Sequence, residues 1–328
     1  MELRKNFLET KGKYQYQQVF GLTRDQSEKL FKVFKQTYLE EVDIKYAERQ
    51  EIYKDFKGMT ARKKVILDEV LKYYFHIVLY YIRHYPTLEM LGWQLGCYKQ
   101  QASSIISRWF MMLMKSLSAC RVVPARDLAQ LEAITDYLLG EGVLKEEDLD
   151  LIIDVTERRV NRPVDNDAQK ALYSGKKKCH TVKNTVVSTV CLMVLFLGKT
   201  YKGTTHDFQM FKEEFSKNKW SKIAVHQHLS LWVDLGYVGI KKWCKNFQNI
   251  FIPFKKPRKT KDNPEPKLSK EQKAYNTYVS KNRIRGEHAI GSIKFSRIVS
   301  HKFRGRKENW EDEVMLAATA LHNFKLIF

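Results

Sequence analysis

Apolar positions recur along the chain with two different periods, and the change from one to the other separates a helical first part from a mixed second part. From Thr23-Arg24-Asp25-Gln26, apolar residues return at three and four through Leu30, Phe31 and Phe34, and the same spacing runs from Thr60 to Tyr81. That period predicts amphipathic helices. Thr87 is placed to cap a short helix reaching Leu95, Gly96 to take a left-handed turn, and a further helix starts at about Lys99. On this last helix Ala102, Ile105, Ile106, Trp109 and Leu113 share one face, and Lys99, Gln100, Gln101, Ser103, Ser104, Ser107 and Arg108 occupy the other. An apolar back and a front of Gln, Ser, Lys and Arg side chains is the layout of a helix-turn-helix that reads base edges and phosphates. Helical hairpins with a turn glycine also serve purely structural ends, so this feature gains meaning only from the rest of the chain.

From about residue 148 the helical period gives way to nearly continuous apolar runs bounded by polar turns. Asp148-Leu-Asp-Leu-Ile-Ile-Asp154-Val-Thr-Glu157 reads as a central strand, buried on both faces, that delivers Asp154 to its own end. A lysine-crowded turn follows at Tyr173–Lys183, and then Thr185–Val190 and Cys191–Thr200 as two further strands. Leu229-Ser-Leu-Trp-Val-Asp234 repeats the pattern of an apolar run closed by an acid and then by glycines. In Asn282–Lys294 and Trp310–Lys325 the helical spacing returns, and the second of these helices is expected to pack on the sheet with His322 as a core or boundary residue. Three successive strands followed by alternating helix and strand predict an α/β domain with an antiparallel edge.

Composition alters this picture in one respect. Of 328 residues, 44% are apolar and 12% aromatic, as in a folded globular chain, but 58 Lys and Arg against 37 Asp and Glu leave a net charge of +21. Such an excess calls for a polyanionic partner. It is unevenly spread, with +8 over residues 1–125, −6 over 126–150 and +19 over 151–328. The expected organisation is a helical region over 1–125 with the helix-turn-helix at about 85–115, an acidic linker over 126–147, and an α/β domain over 148–328. A membrane partner is disfavoured, because the longest apolar run, Val190–Gly198, is far shorter than the about twenty residues of a spanning helix. The five cysteines are odd in number and never at C-x-x-C spacing. With a polar N-terminus, they point to a reducing compartment: the cytoplasm beside chromosomal DNA or, in a eukaryotic host, the nucleus.

Three acids carry the candidate chemistry. Asp154 and Asp234 each close an apolar run, and Glu287 shares one side of a helix with Arg283, four residues before it, and Lys294, seven after it. Singly, each is an ordinary feature of a strand end or a helix surface. Together they match what phosphodiester cleavage requires, since two divalent cations about 3.5–4 Å apart activate the nucleophile, stabilise the leaving oxygen and neutralise the phosphoryl group. Hard cations take oxygen ligands, so two ions of magnesium or manganese held by Asp154, Asp234 and Glu287 are expected. Asp207, in Gly203-Thr-Thr-His-Asp207-Phe, competes for the second place but ranks below Asp234, because a His-Asp pair at a helix start is often a cap. Lys176, Lys177, Lys178, Lys183, Arg283 and Lys294 would let a DNA backbone approach these acids, and the Pro-rich basic segment from Phe254 to Lys267 has three readings, a loop that orders on DNA, a plain solvated loop or a nuclear import signal, of which the first is favoured.

DVTERRVNRP at Asp154, YSGKKKCHTVK at Tyr173–Lys183, VDLGYVGI at Asp234 and NRIRGEHAIGSIK at Asn282–Lys294 occur in that order, and the set resembles the insertion-sequence DDE transposases of the PIF/Harbinger-like group. YIRHYPTLEMLGWQLGCYKQQASSIISRW is similar to the helix-turn-helix that precedes the catalytic domain of that family. The resemblance covers about residues 80–328. It implies an RNase H-like core, a catalytic triad of Asp154, Asp234 and Glu287, and DNA contacts from Arg283 and Lys294 near the scissile phosphate. The implied activity is metal-dependent nicking at transposon ends followed by strand transfer. Its implied partners are double-stranded DNA, as terminal inverted repeats and as target, and further copies of the chain in a homodimer or larger assembly, because two ends must be held together. The alternative is a catalytically idle, transposase-derived DNA-binding protein, which the retention of all three acids disfavours.

Overall fold

A computed structural model describes residues 13–48, 61–215, 229–244, 247, 249–261 and 264–328. Thr60, the expected start of the second helix, and residues 262–263 of the basic loop lie outside the described residues. Contacts divide the chain into two compact units, one of Met1–Val123 with Phe295–His301 and Ala320–Phe328, the other of Pro124–Lys294 with Lys302–Thr319.

The first unit contains helices α1 (Lys13–Phe20), α2 (Arg24–Glu48), α3 (Ala61–His84), α4 (Leu88–Leu95) and α5 (Lys99–Ala119). Its core is aromatic: Phe34 packs on Phe75 and Trp109 at centroid distances of 5.2 and 5.9 Å, and Tyr74 stacks on Trp109 at 4.7 Å. Thr87 caps α4 by accepting a hydrogen bond from the Met90 N–H, and Gly96 ends it at φ +67°, a conformation glycine adopts without a Cβ penalty. A Cβ on Gly92 would stand 2.6 Å from the Cys97 carbonyl, so the tight return of the chain after α4 requires glycine there. Along α5, Ala102, Ile106, Trp109 and Leu113 are buried, whereas Lys99, Gln100, Gln101, Ser104, Ser107 and Arg108 are exposed and Ile105 and Ser103 are half-buried.

The second unit contains α6 (Leu128–Gly140), α7 (Asn166–Leu172), α8 (Asp207–Glu214), α9 (Ile240–Trp243), α10 (Lys270–Lys294) and seven strands. These are β1 (Leu151–Arg159), β2 (Tyr173–Ser174), β3 (Cys179–Thr189), β4 (Val194–Leu197), β5 (Tyr201–Lys202), β6 (Ser230–Trp232) and β7 (Asn249–Phe251). Strand β3 pairs antiparallel with β1 along its whole length, from Leu151↔Thr189 to Arg159↔Thr181, and also carries β2, β4 and β5. On its other side β1 pairs in parallel with β6, which in turn pairs in parallel with β7. Three antiparallel strands followed by two parallel ones, flanked by helices, fit an RNase H-like core. The short helix α11 (Arg297–Ser300) lies in the first unit, and α12 (Trp310–Ile327) supplies its early turns to the second unit and its last turns, with buried His322, to the first.

The structure departs from the sequence reading in three places. Residues 126–147 are no linker: Asp127 caps α6 through the Gln130 N–H, and Leu128, Leu131, Leu138 and Leu144 are buried within the second unit. Its acids lie on the outward face of an amphipathic helix, which composition alone reads as a solvated connector. The apolar run Cys191–Thr200 is no single strand; Leu192 takes φ +73° and turns the chain, leaving β4 only four residues. Asp154 is not at the end of its strand either, because β1 continues to Arg159 against β3. No helix among the described residues is long and apolar enough to cross a membrane.

Candidate active site

Ile152 organises the site. In the sheet it sits beside Trp232 of β6, and this pair is the last between the two parallel strands. Asp154 follows two residues later within β1 and Asp234 two residues after Trp232, where β6 has ended, so both lie just past the same end of the β1–β6 pairing. Beyond Trp232 the chain leaves the sheet for a 3-10 turn, Leu235–Tyr237, and β1 is left open on that side. Helix α10 crosses the face of β1 at the same place: a Cβ on Gly286 would lie 2.6 Å from Ile152 Cγ2, so only glycine lets the helix lie this close. Glu287 is the next residue. Val279, Ala289, Ile290 and Ile293 bury the apolar side of that helix, leaving Glu287 exposed at the rim.

The electrostatics agree with this placement. Burial raises the Asp154 carboxyl above the usual range; its own Val155 N–H, at 2.8 Å, and the Arg283 guanidinium oppose the rise, and the charges of Asp234 and Glu287 add to it. Mutual influence of this kind places the three acids within electrostatic reach of one another. Arg283 Nη2 lies 4.0 Å from Asp154 Oδ2, one helical turn before Glu287. Asp234 caps the 3-10 turn by accepting the Gly236 N–H at 2.7 Å. Among the described residues no three His, Cys, Asp or Glu side chains converge on one point as an ion's ligands would.

Asp207 lies in this site and is more than a helix cap. It opens α8, whose capping group is the neighbouring His206 side chain. The position of a Cβ on Gly236 would be 2.8 Å from Asp234 Oδ1 and 3.6 Å from Asp207 Oδ2, so the two carboxylates border the same point. Lys183 Nζ holds Asp207 Oδ1 and the Thr205 carbonyl, both at 3.0 Å. Lys183 is thereby committed to an internal pair, and the expectation that it faces DNA gives way to this role.

The other basic residues lie on separate elements. Lys176, Lys177 and Lys178 are exposed on the β2–β3 turn, where Lys178 takes φ +54° and its N–H bonds the Ser174 carbonyl. Lys294 Nζ reaches the Glu157 carbonyl at 3.4 Å; burial, then the charges of Lys177 and Arg158, pull its pKa down, while Asp154 and Glu157 hold it up. On α5, in the other unit, Gln101 accepts the Tyr98 N–H at 2.9 Å and Lys99 is paired with Glu89, so Gln100, Ser107 and Arg108 are the outward groups least engaged in the helix's own structure. The sequence pattern did not single out Gly286: a glycine directly before the acid is visible as a residue type, but a helix lying flat on a strand is a three-dimensional fact.

Residues 153–323 match the protein family described as DDE superfamily endonuclease. Over 310 residues, 93% of this chain and 96% of the relative, the sequence is 29% identical to the probable transposase for insertion sequence element IS702 of Microchaete diplosiphon. No solved structure matches. The matched segment starts one residue before Asp154 and includes Asp234 and Glu287.

Proposed function

The chain belongs to the DDE superfamily endonucleases and is an insertion-sequence transposase, and from that premise we propose that it nicks transposon-end DNA at Asp154, Asp234 and Glu287 and joins the freed ends to target DNA. The observation that supports this reading is the end of the β1–β6 pairing at Ile152 and Trp232, two residues before Asp154 and Asp234, with Gly286, the neighbour of Glu287, packed against Ile152.

The donor set suits hard divalent cations. It consists of carboxylate oxygens from three chain segments without Cys or His, and three negative charges crowd a half-buried site against which Arg283 is the cation in contact with Asp154. Asp154, Asp234 and Glu287 would hold magnesium or manganese, two ions in the full arrangement. Such ions, when bound, supply an activated water and neutralise charge on the phosphoryl group. Arg283 and Lys294 bind the phosphates flanking the scissile bond, and the Lys176–Lys178 turn holds the backbone further out. The front of α5, with Gln100, Gln101, Ser103, Ser104, Ser107, Arg108 and Lys99, reads the terminal repeat as the second helix of a helix-turn-helix, the arrangement supported by the Thr87 cap and the Gly96 turn. Holding two ends requires at least a dimer on DNA.

The decisive experiment compares Asp234→Asn with wild type on labelled transposon-end DNA. Cleavage in magnesium falls by at least about a thousandfold, while binding in a gel-shift assay stays within about threefold. Wild-type cleavage by the variant would remove Asp234 from the site. Pre-cleaved ends incubated with a target plasmid give joined products if strand transfer is part of the activity, and none if the protein is only a nuclease.

A further inference from the structure

The second unit carries a group of aromatic rings that the proposed cleavage leaves unused. Trp232, the last residue of β6, stacks on Phe251, the last residue of β7, at a centroid distance of 4.1 Å and an interplanar angle of 12°. Its indole N–H donates to Asp150 at 3.1 Å, which ties the stack to the sheet. Trp232, Ile152 and Val279 form one apolar cluster, with Phe251 and Tyr275 packed against it. Ile152 and Asp154 are two apart on β1 and take the same face of the sheet, so the cluster lies on the face that carries Asp154. Tyr278 stands edge-on to Trp232 and Phe251 at 5.5 and 6.1 Å, and Phe254 stands edge-on to Tyr275 at 5.1 Å. Asn276 holds the Phe254 backbone twice, accepting its N–H at 2.7 Å and donating to its carbonyl at 3.0 Å.

Two of these rings remain open to solvent, Phe254 at 46% and Tyr278 at 51% exposure. Neighbouring exposed rings on a folded surface mark a place where something binds. The chain leaving Phe254 runs on through Lys255, Lys256, Arg258, Lys259 and Lys261, all exposed and none paired with an acid among the described residues. We propose that Phe254 and Tyr278 form a stacking platform for unpaired bases of the DNA beside the cut, with the Lys255–Lys261 segment following the backbone of the same strand. A duplex hides its base faces within its own stack, and free cations alone would serve its phosphates. Open rings beside free cations suit a single strand, whose bases offer their faces while its phosphates stay within reach. Trp232 and Phe251 fill the space behind Tyr278, and Asn276 anchors Phe254, which keeps both rings at the surface.

The inference rests on the proposed nicking for the source of the unpaired strand, but binding is measured without divalent metal, so the two fail separately. Fluorescence anisotropy compares the full chain on a blunt transposon-end duplex, on the same duplex with a short thymine overhang, and on one whose overhang is abasic, keeping the phosphates and lacking the bases. Wild type binds the thymine overhang about tenfold or more tightly than the abasic one. Tyr278→Leu and Phe254→Leu keep apolar bulk and remove the flat ring. Each lowers that preference about threefold or more, with blunt-duplex affinity within about twofold of wild type, whereas Tyr278→Phe and Phe254→Tyr retain it. Equal wild-type affinity for the two overhangs overturns the platform, and this comparison stands even where a Leu variant fails to fold. A preference unchanged in both Leu variants, with self-association lost in light scattering, overturns it too and makes the face a contact between copies of the chain. Equal losses on blunt and overhanging DNA would reduce the rings to a support for the basic segment. In magnesium, cleavage by Asp234→Asn would remove Asp234 from the reacting centre and leave the platform standing.

Discussion

A buried carboxyl answers a change of pH differently from an exposed one. Glu214, the last residue of α8, lies against Gly198 at the end of β4, and burial lifts its pKa from the ordinary 4.5 to about 7. The folded form therefore keeps a proton that the unfolded chain has lost between those values. Its contribution is fully present below pH 4.5 and is lost as pH rises through 7, for a total of about 3 kcal/mol. Glu214→Gln carries no such dependence, so in urea unfolding the variant gains on wild type between pH 5 and pH 8; parallel curves across that range would mean the carboxyl is not buried in solution. His76 in the helical unit works in the opposite direction. Burial pulls it down to about 4, and its Nε2 shares a 2.6 Å hydrogen bond with the Tyr16 hydroxyl, so that unit loses stability as pH falls from 6.5 towards 4.

At the scale of elements, the contact between α10 and β1 decides whether Glu287 reaches the other acids. Alanine at 286 gains about 1 kcal/mol of helix propensity, but its Cβ would meet Ile152 Cγ2 at 2.6 Å in a fully buried contact. Overpacking of this kind costs about 1–3 kcal/mol. Gly286→Ala is thus expected to lower stability by about 0–2 kcal/mol net, and to lower cleavage further because the helix lifts Glu287 off the site. An activity loss fully explained by the unfolded fraction would place Glu287 outside the reacting group. Helix α5 allows a second separation. Gln101 is spent on the helix start, so Gln101→Ala weakens folding. Gln100→Ala with Arg108→Ala leaves the fold intact and weakens binding to transposon ends more than to random DNA; equal losses on both would make α5 a structural helix.

For the molecule as a whole, charge governs the encounter with DNA. The chain carries +21, concentrated in residues 151–328 at +19 and in 1–125 at +8. If the protein neutralises about six to ten phosphates, raising salt from 50 to 200 mM should weaken binding about 10³ to 10⁵-fold, with a linear log–log slope readable by fluorescence anisotropy. A flat salt dependence would deny the basic surface any part in binding. The acidic stretch at 126–150 does not separate the two basic parts as a free linker, since Arg126 pairs with Asp312 at 2.6 Å and donates to the Leu197 and Gly198 carbonyls within the second unit.

The sequence by itself determined the features that depend on local rules: the helical period before residue 120, the Thr87 cap and Gly96 turn, and the strands at Leu151 and Ser230. These follow from side-chain periodicity and backbone conformation, which neighbours along the chain fix between them. Tertiary structure alone decided what each acid stands beside. Asp154 could be read as the end of a strand, but it lies mid-strand, and what ends there is the pairing with β6. Asp207 could be read as a cap, yet Lys183 of β3 pairs with it at 3.0 Å. Gly286 matters because of what lies across from it, Ile152 of β1. A linear pattern specifies which face a residue takes on its own element, whereas the register between elements, and so the company each side chain keeps, is set only when the elements pack.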